Sequence, residues 1–297
     1  MKLLLTQGSS ITRWRRRGGC GAATLESVDF VICRTCAVEH VPGVIACAIC
    51  SDQRQWVPAS GQAWATLEGL RSAGTAVEIV ELEPALHGVA ASPGVGIGQQ
   101  SKLLVTGAGN LLWDPIGYLD NASVERILAL GPVAAIAASH PHMFGVQVEW
   151  SRRLGGAPVY VNEAELRWVA RPDRAIRSWS RREELLPGVT LTQVGGHFPG
   201  SAVVHFTAPD GKGVLLSSDT VFVNPDRASV AFMRSFANHI PQSPAVVDRI
   251  VAALDAFEYD RVYGNFTNSI REDGREVVHG SAARHAAWVR GEHDGLT

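Results

Sequence analysis

The sequence predicts a mixed α/β fold, an αββα sandwich in which two mixed β-sheets pack face to face between outer layers of helices. Strand-like and helix-like patterns follow one another along the chain as strands, helices, strands and helices, which is the order such a sandwich needs. The 297 residues are 46% hydrophobic and 19% charged, enough to bury a large core. Two Cys-x-x-Cys pairs near the N-terminus predict a small four-cysteine metal-binding module in front of the sandwich.

The division of the chain follows from where these patterns begin. Residues 1–26 contain an arginine-rich stretch and no acid before Glu26, and we expect a disordered basic leader, with a transit peptide as the alternative. Residues 27–60 hold the paired cysteines and form the predicted metal-binding module. Residues 61–297 hold the strand and helix patterns and form the predicted sandwich domain.

The net charge limits the classes of partner that the protein is expected to bind. The net charge is −2, so the protein as a whole carries no field that would recruit nucleic acid or an anionic membrane surface. No apolar run approaches the roughly 18 residues that a membrane span requires. We therefore expect a cytoplasmic protein that acts on a small-molecule substrate and has neither nucleic acid nor membrane as a partner; the sequence leaves its oligomeric state open.

The cysteine cluster predicts a tetrahedral site of four thiolates. Its members, separated by a ten-residue loop between the two pairs, are Cys33, Cys36, Cys47 and Cys50. Structural zinc is the metal most typical of such a set, iron in a rubredoxin-like setting is an alternative, and disulfides are disfavoured in a chain without a secretory signal. A module this small has no room for its own core, so we predict that the metal stabilises its fold. Cys20 lies in the basic leader and receives no role.

The periodicity of apolar residues predicts the elements of the sandwich in order. Predicted strands cover 76–82, 102–106, 110–114, 133–139, 159–161, 189–194, 202–207, 213–217 and 261–263. Predicted helices cover 121–130, 145–154, 163–170, 245–257 and 275–290.

Potential metal ligands follow three of the predicted strands. His140 and His142 come directly after the apolar run 133–138, His197 follows the strand 189–194, and Asp219 follows the strand 213–217. Loops at one edge of a packed scaffold can converge on one cleft. Three neutral imidazoles bind zinc well, and a carboxylate can complete the set. We therefore predict a second metal site made of these four residues.

These motifs resemble those of the metallo-β-lactamase-fold hydrolases. The family signature is HxHxDH, then GHxPGS, then a GD or SD followed by Thr, then a late His; the chain has His140-Pro141-His142, Gly196–Ser201 and Ser218-Asp219-Thr220 in that order. The resemblance covers about residues 76–290 and implies the αββα fold, a metal cofactor and hydrolytic chemistry. It also implies an Asp beneath the metal site at the end of a strand, a position that Asp114 occupies.

Three departures from the family motif predict a site for one metal ion. Phe144 and Gly145 stand where the family has the Asp and the His of HxHxDH, and Asn265 stands at the late His position. The resemblance implies that these three positions hold the second ion in two-metal members, and none of the residues present is a good ligand. We expect one ion, zinc rather than iron, with Asp219 as the catalytic base and Phe144, Tyr263 and Asn265 at the substrate rim.

The predicted activity is hydrolysis of a small, fairly apolar ester, thioester or lactone. Two alternatives remain open. His140, His197 and Asp219 match the facial triad of mononuclear iron persulfide dioxygenases, which implies an oxidoreductase. The missing ligands also leave room for a degenerate, non-catalytic metal-binding protein.

Overall fold

The computed structural model describes residues 29–297. The predicted leader 1–26 and Cys20 lie outside the described residues and remain predictions.

A small antiparallel sheet and a short helix begin the described chain. The sheet has the order β2-β1-β3 and consists of β1 (Val31–Cys33), β2 (Glu39–His40) and β3 (Trp64–Ala65). It is followed by α1 (Leu67–Ser72), whose N-cap Thr66 accepts a hydrogen bond from the Gly69 amide. Because β3 pairs with β1, this sheet crosses the predicted boundary between residues 60 and 61.

The first large sheet has seven strands in the spatial order β10-β9-β8-β7-β6-β5-β4. They are β4 (Ala76–Glu83), β5 (Leu86–Ser92), β6 (Ser101–Leu104), β7 (Asn110–Trp113), β8 (Val133–Ala137), β9 (Val159–Asn162) and β10 (Ile176–Trp179). The strands β4 to β7 form an antiparallel meander, whereas β7 to β10 run parallel. Parallel neighbours require crossover connections, and α2 (Asn121–Ala129) and α3 (Gln147–Arg153) provide two of them.

The second large sheet has six strands in the order β11-β12-β13-β14-β19-β20. In chain order this half comprises β11 (Arg182–Leu186), β12 (Val189–Gln193), β13 (Ala202–Thr207), β14 (Gly213–Leu216), the short ribbon strands β15 (Phe222–Val223), β16 (Val230–Ala231), β17 (Met233–Ser235) and β18 (Ile240–Pro241), then α4 (Pro244–Leu254), β19 (Arg261–Tyr263), β20 (Ser269–Ile270) and α5 (Gly274–Val289). β14 and β19 are parallel, and the other pairs of this sheet are antiparallel.

Three apolar clusters fill the spaces between four layers, which confirms the predicted αββα sandwich. Side chains alternate between the faces of each strand, so Leu111 and Trp113 of β7 enter the cluster between the two sheets while Leu112 enters the cluster under α2 and α3. On the second sheet, Leu216 of β14 faces the first sheet, and Leu215 faces the cluster that contains α4 and α5. Each buried strand therefore presents one of its two faces to each neighbouring layer.

One predicted helix has a different form, and several strands, among them β10, β11 and β20, were not predicted. The segment predicted as a helix over 163–170 forms a 3-10 helix, Glu163–Trp168, whose first turn is capped by Asn162 and which ends where Val169 turns extended. The strand β5 was missed because Gly88 and the flanking turn residues weaken its local signal, although it pairs on both sides in the sheet. Among the described helices, none has both the length and the apolarity to cross a membrane.

Candidate metal centre

Five strands point their carboxyl ends at one edge of the sandwich. β7 and β8 are parallel, so Asp114 and the segment that begins at His140 leave the first sheet together. In the second sheet β12, β14 and β19 run in the same direction, which brings His197, Asp219 and Asn265 to a common edge. The Ala202 amide donates to the Ser139 carbonyl at 2.9 Å and joins the two edges. The predicted convergence of the loops is thus a consequence of strand direction.

The four predicted ligands form one buried cluster. His140, His142, His197 and Asp219 each offer a ligand atom, and these atoms all lie within 4.8 Å of one another. The His140 Nε2 lies 3.2 Å from the Asp219 Oδ2, and the His197 Nε2 lies 3.7 Å from the same oxygen. The His140 Nε2 is buried without a hydrogen-bond partner, and the His142 Nδ1 lies 3.2 Å from the His197 Nε2. Buried nitrogen atoms packed this closely around a carboxylate fit a shared metal ion.

Hydrogen bonds on the far side of two rings orient their Nε2 atoms toward the cluster. The His197 Nδ1 lies 3.1 Å from the Met233 carbonyl, which can only accept, so this nitrogen carries the proton and the Nε2 presents a lone pair to the cluster. The His140 Nδ1 lies 2.8 Å from the Ser139 hydroxyl. The Ser139 amide in turn donates to the Asp114 Oδ1 at 2.7 Å, so Asp114 supports the ligand segment from beneath without contributing to the ligand set.

Burial and charge set the protonation states that metal binding requires. Burial, together with the neighbouring His140, lowers the pKa of His197 to about 4 and the pKa of His142 well below its usual value. Burial opposes ionisation of Asp219, but the close contact of its Oδ2 with the His140 Nε2 and the presence of the other two imidazoles hold its pKa well below its usual range. At neutral pH the site therefore presents neutral His142 and His197 rings and an ionised carboxylate.

The residues at the second-ion positions take other roles. The Asn265 Nδ2 donates to the Asp219 Oδ1 at 2.8 Å, so Asn265 orients the carboxylate from the place where the family motif has a ligand. Gly145 has φ +50°, and a Cβ built on it would lie 2.0 Å from the Pro115 carbonyl oxygen. The backbone at this position leaves no space for any side chain, a His included.

Of the three residues predicted at the substrate rim, Asn265 lies beside the metal cluster and the other two lie elsewhere. Phe144 is 2% exposed and packs in the core under the first sheet, because the 3-10 turn after His140 directs it inward. Tyr263 packs between the sheets, where its hydroxyl donates to the Glu83 Oε2 at 2.6 Å. Neither is among the residues that line the adjoining cavity.

A cavity of about 740 Å³ opens directly on the cluster. His142, His197 and Asp219 form part of its lining. Much of the remaining wall is apolar or aromatic and includes Ile97, Phe222, Phe236, Phe266 and Trp56. A mostly apolar cavity with a few convergent polar groups is typical of a small-molecule site.

The four predicted cysteines form a second group that can hold a metal ion. Cys33, Cys36, Cys47 and Cys50 are buried and free of disulfides, and their ligand atoms lie within 4.8 Å of one another. The Sγ atoms of Cys33 and Cys50 are 3.6 Å apart and those of Cys36 and Cys47 are 3.7 Å apart. A tetrahedron of thiolates about 2.3 Å from a central zinc has edges of about 3.8 Å, so the spacing fits such an ion. The Gln62 amide donates to the Cys33 Sγ at 3.2 Å.

Sequence reasoning missed several polar residues of the cavity wall, and Arg54 is the buried charged residue among them. It lies four positions after Cys50, is 6% exposed, and its Cζ lies 3.8 Å from the ring centroid of Phe198, which contacts all three histidine rings. Its position within the cysteine module gave the only local signal. The contact with Phe198 spans more than 140 positions and is a product of the fold.

No protein-family model matches the chain. The chain is 38% identical to an uncharacterized protein, YmaE of Bacillus subtilis strain 168, over 271 residues that cover 89% of this chain and 98% of that protein. A solved B3 metallo-β-lactamase with an active-site glutamic acid is 16% identical, covers 82% of this chain and 99% of its own, and superposes with a TM-score of 0.51. MEM-A1, a subclass B3 metallo-β-lactamase from a soil metagenome library, is 15% identical, covers 73% of this chain and 97% of its own, and gives a TM-score of 0.50.

Proposed function

Because this chain belongs to the same family as YmaE of Bacillus subtilis and has the metallo-β-lactamase fold, we propose that it is a hydrolase that uses one metal ion. The observation that carries the proposal is the cluster of His140, His142, His197 and Asp219 beside an apolar cavity. Zinc suits this set of three imidazoles and one carboxylate. Bound there, it would polarise a substrate carbonyl and acidify a water molecule.

The protein's own residues supply orientation and a proton acceptor. Asp219 is ionised at neutral pH, and its two oxygens face different partners: Oδ1 accepts from Asn265, and Oδ2 faces His140 and His197. The carboxylate is therefore held in one orientation, with a charge available to accept the proton of the attacking water. We assign Asp219 this role in addition to its role as a ligand.

The proposed substrate is a small ester, thioester or lactone. The cavity of about 740 Å³ has the size of a small-molecule site, and its aromatic wall favours a substrate with an apolar part. The proposed centre is mononuclear, since Phe144, Gly145 and Asn265 replace the ligands that would hold a second ion.

We further propose that the four-cysteine group holds structural zinc and that the protein is cytoplasmic. The four buried thiols of the module are free of disulfides, which is the expected state in a reducing compartment.

The test is metal analysis combined with an activity panel. The purified wild type is expected to contain two metal ions per chain, one at each group, and to hydrolyse members of a panel of p-nitrophenyl esters, thioesters and lactones. The double variant His140→Ala/His142→Ala should lose one ion and at least about 99% of the hydrolysis, since the metal supplies several kcal/mol of transition-state stabilisation.

The matched control is His279→Ala/His293→Ala, which removes two histidines from the C-terminal helix and the turn after it, away from the cavity. It should keep both metal ions and wild-type activity. Full activity in the His140→Ala/His142→Ala variant would refute the proposed site. Oxygen-sensitive iron at the histidine group would favour the oxidoreductase instead, and a histidine group without metal in protein purified without chelators would favour a non-catalytic protein.

A further inference from the structure

The cysteine module and the few residues after it form half of the cavity that opens on the histidine cluster. Half of the lining residues lie between positions 34 and 63, among them Arg34 and Thr35 of the first Cys-x-x-Cys loop and the segment from Arg54 to Trp56. The module therefore lies where it contacts any substrate that the cavity holds.

One charged side chain of this wall is buried with its hydrogen-bonding capacity largely unused. The Nε and Nη1 atoms of Arg54 are buried and have no hydrogen-bond partner. The Nε lies 3.1 Å from the Asp52 Oδ1, an ion pair whose alignment is too poor for a hydrogen bond. A buried guanidinium with unpaired donors is unfavourable unless a further anion satisfies it.

The surroundings of Arg54 carry charges of both signs. Burial and the nearby charge of Arg234 lower the pKa of Arg54, whereas the charges of Asp52 and Glu165 raise it. Arg54 and the metal-binding residues His142, His197 and Asp219 all line the same cavity. An anion placed against Arg54 would therefore lie close to the reacting group of a bound substrate.

We propose that Arg54 is a specificity residue contributed by the cysteine module, and that it binds a carboxylate of the substrate while the apolar wall holds the substrate's body. This inference rests on the proposed function, because it takes the cavity to be the substrate cavity. A guanidinium fork matches a carboxylate in a bidentate geometry that a point charge cannot reproduce. The cavity would then select acidic esters, thioesters or lactones over neutral ones.

Calorimetric titration of the full-length, metal-loaded protein with phenylacetate and with its neutral analogue phenylacetamide tests the proposal. The two probes share an aromatic body and differ in charge. The wild type is expected to bind phenylacetate at least about tenfold more tightly. Arg54→Gln should weaken phenylacetate binding by about tenfold or more and change phenylacetamide binding by less than about twofold.

A second groove supplies the matched control. Arg249 borders that groove together with Arg54, Arg181, Arg182 and Arg234, but it does not line the cavity. Arg249→Gln should leave the binding of both probes unchanged. Equal loss in Arg249→Gln and Arg54→Gln would place the anion in the outer groove and overturn the proposal.

Two further outcomes overturn it. A wild type that does not distinguish the two probes has no carboxylate site, and an Arg54→Gln variant that binds phenylacetate like the wild type places the carboxylate on the metal instead. If Arg54→Gln fails to fold, Arg54→Lys decides: it keeps the charge but loses the fork, so phenylacetate binding should weaken several-fold, and unchanged affinity refutes the role.

The two proposals fail separately. The His140→Ala/His142→Ala variant should lose hydrolysis and keep its preference for phenylacetate. If the wild type hydrolyses no substrate but binds phenylacetate through Arg54, the proposed function falls and the inference stands. If hydrolysis depends on the histidines while Arg54→Gln still binds phenylacetate normally, the inference alone falls.

Discussion

The hydrogen bond between Asn265 and Asp219 fixes one oxygen of the carboxylate at the candidate metal centre. The Asn265 Nδ2 donates to the Asp219 Oδ1 at 2.8 Å, which leaves the other carboxylate oxygen facing His140 and His197. Partners that orient a ligating carboxylate commonly contribute tenfold to a hundredfold in metal affinity. Asn265 therefore belongs to the metal centre although it is not one of the predicted ligands.

Asn265→Ala is expected to lower the affinity of the histidine site for metal by about tenfold, because Asp219 loses the donor that fixes its orientation. Competition with a chromophoric chelator measures the change. Asn224→Ala, which removes an amide that bonds to Ser229 in a turn outside the cavity lining, should leave the affinity unchanged. Equal affinities in Asn265→Ala and the wild type would show that the hydrogen bond does not support the site.

Gly145 shows that the second ion's site is closed by the backbone as well as by residue type. Its φ of +50° disfavours any side chain, and the position of its Cβ is blocked by the Pro115 carbonyl oxygen at 2.0 Å. Restoring the histidine of the family motif would require the backbone of one of these segments to move.

We expect Gly145→His to destabilise the protein by at least about 3 kcal/mol without adding a metal ion, because the clash adds to the strain of a positive φ. Gly155→His is the matched control: Gly155 has φ +83° but nothing within 4 Å of its Cβ, so this variant carries the strain without the clash. Urea unfolding and metal analysis measure both effects. A stable Gly145→His variant with an additional ion would contradict the argument.

At the scale of elements, the sequence predicted those parts whose signal is local. The helix 245–257 and the strands 202–207 and 213–217 were predicted close to their observed bounds, because apolar periodicity and flanking turns define them within a short window. The four residues of each candidate metal group could be predicted because their signals are local: those of the histidine group follow strand ends, and those of the cysteine group form two Cys-x-x-Cys pairs. The position of Tyr263 depends on a distant partner and could not be read locally: it was predicted at the substrate rim, but its hydroxyl bonds to Glu83, 180 residues away.

We propose that the cysteine module is the element whose stability depends most on metal. The described segment from Val31 to Ala65 has only three short strands, and its sulfur atoms are close enough to require a cation or protons between them. Structural zinc sites contribute on the order of 10 kcal/mol of binding free energy to folding.

Cys33→Ser/Cys36→Ser is expected to lose the metal ion of the module and to shift the thermal midpoint downward by several degrees, since the metal no longer holds the loops together. Metal analysis and thermal unfolding measure the two effects. Cys20→Ser removes the fifth cysteine of the chain and should change neither. An unchanged metal content in the double variant would mean that the module does not hold metal.

At the scale of the whole molecule, the cysteine module is docked on the segment that follows the metal ligands. The Glu39 amide donates to the Gly145 carbonyl at 3.0 Å, and the Glu39 carboxylate accepts from the Val148 amide and pairs with Arg171 at 2.6 Å. Buried ion pairs fix relative position more reliably than they add stability. The cavity wall and the histidine cluster are thereby held in one arrangement.

The contact between Gly117 of the sandwich and Ala37 of the module allows this docking to be tested by adding one methyl group. A Cβ at Gly117 would lie 2.3 Å from the Ala37 Cβ and 2.8 Å from the Ala37 carbonyl oxygen, so Gly117→Ala must push the module away from the sandwich. We expect a loss of about 1–3 kcal/mol in the free energy of unfolding, from overpacking, and weaker binding of phenylacetate, because the wall that carries Arg54 moves.

Gly107→Ala is the control for Gly117→Ala, since a Cβ at Gly107 meets nothing within 4 Å, and it should leave stability and binding close to wild type. Urea unfolding and calorimetric titration provide the two measurements. A destabilised Gly117→Ala variant with unchanged phenylacetate binding would show that phenylacetate binding does not depend on how the module is docked on the sandwich. Because the histidine cluster is built on the sandwich alone, both variants should retain the histidine-bound metal, and its loss in Gly117→Ala would mean that docking also shapes the metal centre.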